Sequence, residues 1–292
     1  VSFIGILAWF HLRVEPVGWA WNMKIWRKFI SISWPLAFTA LATSLYTYGD
    51  SILMGIWGQI TQTGWYNGAH KIASTALLPA ILLSQGFYPP LSASVRGFKG
   101  LFNSIWNKHF GVMVALALPI CMGGIVLAPK IIGFMYGQDY MPSVPTFQIL
   151  MIMAGITMLY LPFKYALIAD DQQKNVLVIT TIGAAINIFL NVLLIPRFSL
   201  NGAAVASLGA HGVILIASSF IFFRRQSDLF LARDNVKLSG ISLLAASCMA
   251  LILYWSSAAM LHVVFAIMLG FFVYGTLFAL LYTIIMRKKK EI

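Results

Sequence analysis

Long apolar runs alternate with short polar stretches along the whole chain, and the runs predict the elements. Eight of them, at 30–57, 72–91, 110–127, 144–169, 176–195, 202–223, 238–255 and 261–286, are suited to membrane-crossing helices, which need roughly 20 apolar residues each. The residue-by-residue alternation that marks a transmembrane strand is missing from them. Helices satisfy their own backbone groups, as hydrocarbon requires. The predicted fold class is therefore all-α: a polytopic membrane helical bundle of eight full transmembrane helices plus a truncated one. The truncated helix is the apolar run 1–12, which no basic segment precedes and no small-residue cleavage site follows, so it does not read as a signal peptide. The expected organisation is that tail (1–12), a basic cytoplasmic segment (13–28), a transmembrane lobe (29–286) and a basic tail (287–292).

Composition narrows the class. The chain is 60% hydrophobic and only 10% charged, against about 25% charged in an ordinary soluble domain. A soluble enzyme, a nucleic-acid-binding domain and a disordered chain are thereby set aside.

The formal charge of +12 becomes a record of topology once it is sorted by loop. One side collects Arg13, Lys24, Arg27 and Lys28, then Arg96, Lys99 and Lys108, then Lys164 and Lys174. It continues with Arg224, Arg225, Arg233 and Lys237, and ends with Arg287, Lys288, Lys289 and Lys290. That is seventeen of the 20 basic residues; Lys71, Lys130 and Arg197 face the other side. By the positive-inside rule the first side is cytoplasmic. The basic tail is then expected near anionic lipid headgroups, and no nucleic-acid partner is implied.

Prolines fall inside the runs, at Pro35, Pro79, Pro119 and Pro162, with the pair Pro89–Pro90 expected at a helix end. Each reads as a kink or as a moving hinge. The sixth run opens with Gly202, Ala203, Ala204, Ala206, Ser207, Gly209, Ala210 and Gly212, a density of small residues that admits a close neighbouring helix. Cys121 and Cys248 lie within apolar runs and read as small buried hydrophobes; no disulfide or metal framework follows from them.

Ionisable groups in hydrocarbon are costly and each raises a functional question. Asp50 is the single acid within a run. It reads as a structural ion pair with Lys71, as an ion-coupling acid or as a substrate contact. His211 lies in the sixth run, either a hydrogen-bonded core residue or a cavity-lining contact. Asn187 and Asn191 are four apart, share one helix face, and either bind a neighbouring helix or line a polar cavity. Lys164, with Tyr160 one turn away and Tyr165 beside it, either snorkels to the headgroups or faces a cavity that holds an anionic group. The pair Asp170–Asp171 reads as a solvated turn. No nucleotide-binding glycine loop, zinc-protease motif, nucleophile elbow or dinucleotide fingerprint is found, so neither a cofactor nor a metal is implied.

Several stretches carry a resemblance when taken in order. They are Gly49-Asp50-Ser51-Ile52-Leu53-Met54-Gly55, Gly64-Trp65-Tyr66-Asn67-Gly68-Ala69-His70-Lys71-Ile72 and Phe87-Tyr88-Pro89-Pro90-Leu91-Ser92. Further on come Leu127-Ala128-Pro129-Lys130-Ile131-Ile132, Met135-Tyr136-Gly137-Gln138-Asp139-Tyr140, Asn191-Val192-Leu193-Leu194-Ile195-Pro196 and Asn201-Gly202-Ala203-Ala204. Across about residues 20–225 the set resembles the C-terminal part of the oligosaccharide (polysaccharide) flippase family, whose superfamily includes multidrug and toxin extrusion transporters. The resemblance implies the second lobe of a two-lobe, alternating-access transporter, with the N-terminal lobe missing from this chain. It implies a flippase that moves undecaprenyl-pyrophosphate-linked oligosaccharide across a bacterial or archaeal cell membrane, for polysaccharide or O-antigen biosynthesis. Lys71, Lys164 and His211 are the candidates for a cationic cavity, with Asn187 and Asn191 beside them and Asp50 as the ion-coupling candidate. The alternatives are a cation-coupled multidrug extrusion transporter and, further off, a membrane glycan polymerase or glycosyltransferase. The short loops, without clustered acids or bases, favour a transporter over an enzyme.

Overall fold

The computed structural model describes residues 22–95, 99–225, 233–258 and 262–287. The run 1–12, most of the basic segment 13–28 and the tail beyond Arg287 lie outside them. The described chain is helical between its turns: α1 Met23–Ile56, α2 Ile60–Ala76, α3 Leu78–Val95, α4 Lys99–Tyr136, a 3-10 turn Gln138–Ser143, α5 Val144–Ala169, α6 Gln173–Arg225, α7 Arg233–Ala258 and α8 Val263–Arg287. Two compact units divide the chain, Val1–Ala42 and Thr43–Ile292. In the first, residues 23–42 are α-helix. All that follows concerns the second.

Six segments among the described residues are long and apolar enough to cross a membrane, from Ile60–Val95 to Val263–Ile284. One of them, Gln173–Arg224, has 52 residues and as a straight rod would be about 78 Å long, more than twice the hydrocarbon thickness. It folds back on itself. Ser199 leaves the helical region at φ 50° and ψ −130°, three residues after Pro196, which has no backbone N–H to continue the ladder. Its two arms are the expected fifth and sixth crossings, and they run antiparallel: Asn187 bonds Ser207, Gly183 lies against Ile214 and Gly209 against Leu190. The small residues of the second arm allow this approach. Ala203, Ala204, Ala206 and Ala210 are fully buried, and a Cβ on Gly202 would lie 2.4 Å from the Leu194 carbonyl oxygen.

The second expected crossing starts earlier than its apolar run. It is built from α2 and α3, which break at Leu77 just before Pro79. Pro89 and Pro90 lie inside α3, not at its end; the helix continues for five residues because Leu91, Ser94 and their neighbours pack against the bundle. Cys248 is exposed, on a helix whose outward residues are apolar, so it is not the buried hydrophobe expected; Cys121 is half-buried.

Two of the buried clusters mark the ends of the bundle. Toward the Ser199 turn, Tyr66, Ala69 and Ala73 of α2 meet Ile132 of α4, Phe147 and Leu150 of α5 and Ala203 of α6. Toward the opposite end, Trp106 of α4 stacks on Phe222 of α6 at 4.7 Å and meets Phe163 of α5 at 5.5 Å. Lipid is as apolar as these side chains, so close packing, not exclusion from water, is what favours them here. Each aromatic pair contributes about 0.5–1.5 kcal/mol beyond its area. The hairpin α7–α8 attaches through Met249, Leu253 and Ala266 against Leu127 of α4. Its outward residues, Leu243, Leu251, Phe265, Met268, Phe271 and Phe272, are apolar and exposed, as a lipid-facing surface must be.

Candidate functional site

Asp50 sits at the meeting point of three helices, bonded to Tyr66, Asn191 and Ser207. Asp50, near the end of α1, is 3% exposed. Tyr66 of α2 donates its hydroxyl to Oδ2. Ser207 donates Oγ–H to the same oxygen at 2.7 Å, and Asn191 donates Nδ2–H to Oδ1 at 2.5 Å. Behind these donors, Asn187 passes Nδ2–H to Ser207 Oγ at 3.2 Å and accepts from Asn191 Nδ2 at 3.0 Å. Both asparagines are fully buried, on the shared face that their spacing predicts.

The expected Asp50–Lys71 ion pair is not among the contacts of Asp50. Lys71 is exposed. Five helical steps separate it from Tyr66, about 140° around α2 at 100° each, so the face that gives Tyr66 to Asp50 turns Lys71 away. The histidines against the donors of Asp50 are His70 and His211. His70 stacks on Tyr66 with ring centroids 5.8 Å apart. His211 places Nδ1 2.8 Å from the Ser207 carbonyl. A carbonyl oxygen can only accept, so Nδ1 carries the proton there. Tyr66, His70 and Ser207 are the members that reading the sequence missed; the antiparallel register of 187 with 207 would have found Ser207.

Among the described residues Asn191 Oδ1 is buried without a hydrogen-bond partner, a cost of about 1–3 kcal/mol. Asn191 turns Nδ2, not Oδ1, toward Asp50 and Asn187.

A second polar feature runs along the surface. On α2 the exposed residues are Ile60, Thr61, Gly64, Asn67, Lys71 and Thr75, at helical spacing and polar beyond the first. On α3, Gln85 is exposed, and Tyr88 beside it is half-buried. Lys164 and Tyr165 of α5 are half-buried next to them, with Tyr88 and Tyr165 rings 6.0 Å apart and Lys164 Nζ 6.0 Å from the Tyr165 ring. The outward face of α3 also carries exposed Leu78, Leu82 and Leu83, so the polar stripe belongs chiefly to α2. Behind the tyrosines, His109 of α4 is fully buried, bonded through Nε2 to Ser84 Oγ at 2.9 Å and stacked on Phe87 at 4.6 Å. Lys164 is thus far from the Asp50 group along the chain's fold: it belongs to the Trp106 end, Asp50 to the Ser199 end.

A bundle of broken, small-residue-rich helices, six of its segments long and apolar enough to cross a membrane, describes a multi-pass membrane protein. The comparisons specify it. Residues 2–145 match the family described as "Polysaccharide biosynthesis protein". The chain is similar to "Probable low-salt glycan biosynthesis flippase Agl15" of Haloferax volcanii, 23% identical over 69% of this chain and 43% of that protein. It is also similar to "Probable flippase AglR" of the same organism, 26% identical over 72% and 44%. Among solved structures, "Lipid II flippase MurJ, inward closed conformation" shares the fold at TM-score 0.81 and 17% identity, covering 97% of this chain and 60% of that one. The chain spans about half the length of the curated relatives it matches. These matches support the resemblance to the polysaccharide flippases. The named relatives are flippases or transporters, in agreement with the expectation that the chain is not an enzyme.

Proposed function

We propose that the protein is a flippase for lipid-linked oligosaccharide, with undecaprenyl pyrophosphate as the lipid carrier, and that this chain forms one lobe of a two-lobe alternating-access transporter. The polar wall of α2, α3 and α5 carries the reading. Asn67, Lys71, Thr75 and Gln85 are exposed on the apolar segment Ile60–Val95, and any of them within the hydrocarbon would be disfavoured by lipid contact. A water-filled path for a polar headgroup accounts for their exposure. In this reading the wall faces the second lobe, Lys71 and Lys164 attract the pyrophosphate, and the lipid tail stays in the bilayer. Charge distribution supports a cytoplasmic Asp170–Asp171 turn, and both ends of the eight-helix unit are then cytoplasmic.

Asp50 is the coupling group. Cation entry at Asp50, Asn187 and Ser207 ties α1 to both arms of the α6 hairpin, and its release loosens them, which biases one state of the lobe against the other. Headgroup translocation between leaflets of liposomes by the intact protein, with and without an ion gradient, tests the function. Lys164→Ala is expected to slow it at least about tenfold, and no headgroup movement by the intact protein overturns the reading. The buried acid also favours a second reading, a cation-coupled multidrug exporter. Dye efflux that disappears in Asp50→Asn, with no headgroup movement, would select it.

A further inference from the structure

Where α3 ends beside the turn that joins α5 to α6, a cavity of about 520 Å³ opens, lined by Tyr88, Ser92, Val95, Ala169 and Asp171. Its size suits a small ligand. Tyr88 offers a ring face. Ser92 offers a hydroxyl that donates and accepts. Asp171 offers carboxylate oxygens that only accept, and its exposed side chain is set at the rim by a backbone held at φ 55°, its N–H bonded to the Ile168 carbonyl at 3.2 Å. The negative charge of Asp171 repels a phosphate. The cation is on the other side of the tyrosine pair: Tyr88 meets Tyr165, and Lys164 stands by the Tyr165 ring. Gln85 hydrogen-bonds the Tyr165 side chain.

This order of groups fits a ligand that is neutral and rich in hydroxyls at one end and anionic at the other. A sugar ring has an apolar C–H face that matches an aromatic face and a rim of hydroxyl donors that matches Ser92 and Asp171. We propose that the Tyr88 cavity is a glycan subsite: it takes the first sugar of a lipid-linked headgroup while Lys164 holds the adjoining diphosphate. The inference rests on the flippase reading and deepens it by orienting the headgroup on this lobe. His109 is a positioning residue. Its bond to Ser84 and its stack on Phe87 fix the turn of α3 that carries Tyr88, and its ring lies 6.3 Å from that of Tyr165.

The test uses the intact protein purified in detergent and two probes: farnesyl diphosphate, and farnesyl diphosphate bearing one N-acetylglucosamine. Affinity for each is measured by calorimetry, with circular dichroism to confirm folding. The unaltered protein is expected to bind the sugar-bearing probe about tenfold more tightly. Tyr88→Ala and Asp171→Asn should each remove most of that preference while leaving farnesyl diphosphate affinity unchanged; Tyr88→Phe, which keeps the ring, should retain it. Lys164→Ala should weaken both probes alike. Should Tyr88→Ala fail to fold, Asp171→Asn decides alone. Binding of both probes with no sugar preference, or a preference that survives Asp171→Asn, overturns the subsite and leaves the flippase reading standing. Binding of neither probe, with no translocation in liposomes, overturns both.

Discussion

At Asp50 three neutral donors surround a carboxylate that no Lys or Arg contacts among the described residues. A charge in a low-dielectric site is strongly disfavoured without such partners, so the acid and its donors depend on each other. Asp50→Asn keeps the shape and removes the charge; folding should be little affected, while ion-driven transport should fall by more than about tenfold if coupling runs through this group. Asn191→Ala removes a donor from a retained charge and should destabilise the fold by about 1–3 kcal/mol, read as a lower melting temperature in detergent. Lys71→Ala should change stability by less than about 0.5 kcal/mol, because Lys71 is exposed and away from Asp50. The sequence made Asp50, Asn187, Asn191 and His211 visible one at a time, since an acid or an amide in an apolar run stands out by composition. That three of them meet was not legible. Asp50 and Asn191 are 141 residues apart, and only the packing of α1 on the hairpin joins them. Tyr66 and Ser207 were overlooked because tyrosine and serine are ordinary in membrane helices.

At the scale of elements, hydropathy located the crossings but not their ends. The run at 110–127 became the 38-residue α4, because Asn103, Asn107 and Lys108 are compatible with a helix that continues beyond hydrocarbon. The run at 72–91 became two helices because Pro79 interrupts the ladder. The hairpin of α6 is the best-determined element, since the small residues that allow it are contiguous in sequence. It also gives a sharp contrast. A methyl group on Gly202 would sit 2.4 Å from the Leu194 carbonyl oxygen, a backbone atom with nowhere to move, whereas one on Gly212 meets nothing within 4 Å. Gly202→Ala should therefore cost about 1–3 kcal/mol through overpacking and displace Ser207 from Asn187. Gly212→Ala should be neutral or stabilising by up to about 1 kcal/mol from helix propensity. Thermal unfolding of the two variants side by side checks this, and equal melting temperatures would contradict the tight turn.

For the whole molecule, the distribution of basic residues and the path of the helices make one joint prediction. Gly58, Gly137 and Ser199 mark turns at one end of the bundle, where Asp50 and its partners also lie; the turn at Asp170–Asp171 marks the other, with the Trp106 core. The sequence pattern assigns seventeen of the 20 basic residues to the same side as the Asp170–Asp171 turn. Lys and Arg are retained on the cytoplasmic side during insertion, so Asp171 should be cytoplasmic and Ser199 outside. The two endogenous cysteines, Cys121 and Cys248, lie within helices and are first replaced by alanine. A single cysteine at position 199 should then react with a membrane-impermeant maleimide in intact cells, whereas one at position 171 should react only after the membrane is opened. The reverse pattern would invert the direction proposed for transport, since the sugar cavity at Asp171 would then receive its ligand from outside. The same labelling reports on mechanism: if the wall of α2 and α3 lines a path that opens alternately, a cysteine at Asn67 should lose reactivity when the lipid-linked probe holds the lobe open toward the Asp171 end. Constant reactivity at position 67, with and without probe, would mean that the wall does not change its exposure and that the polar stripe serves a static contact instead.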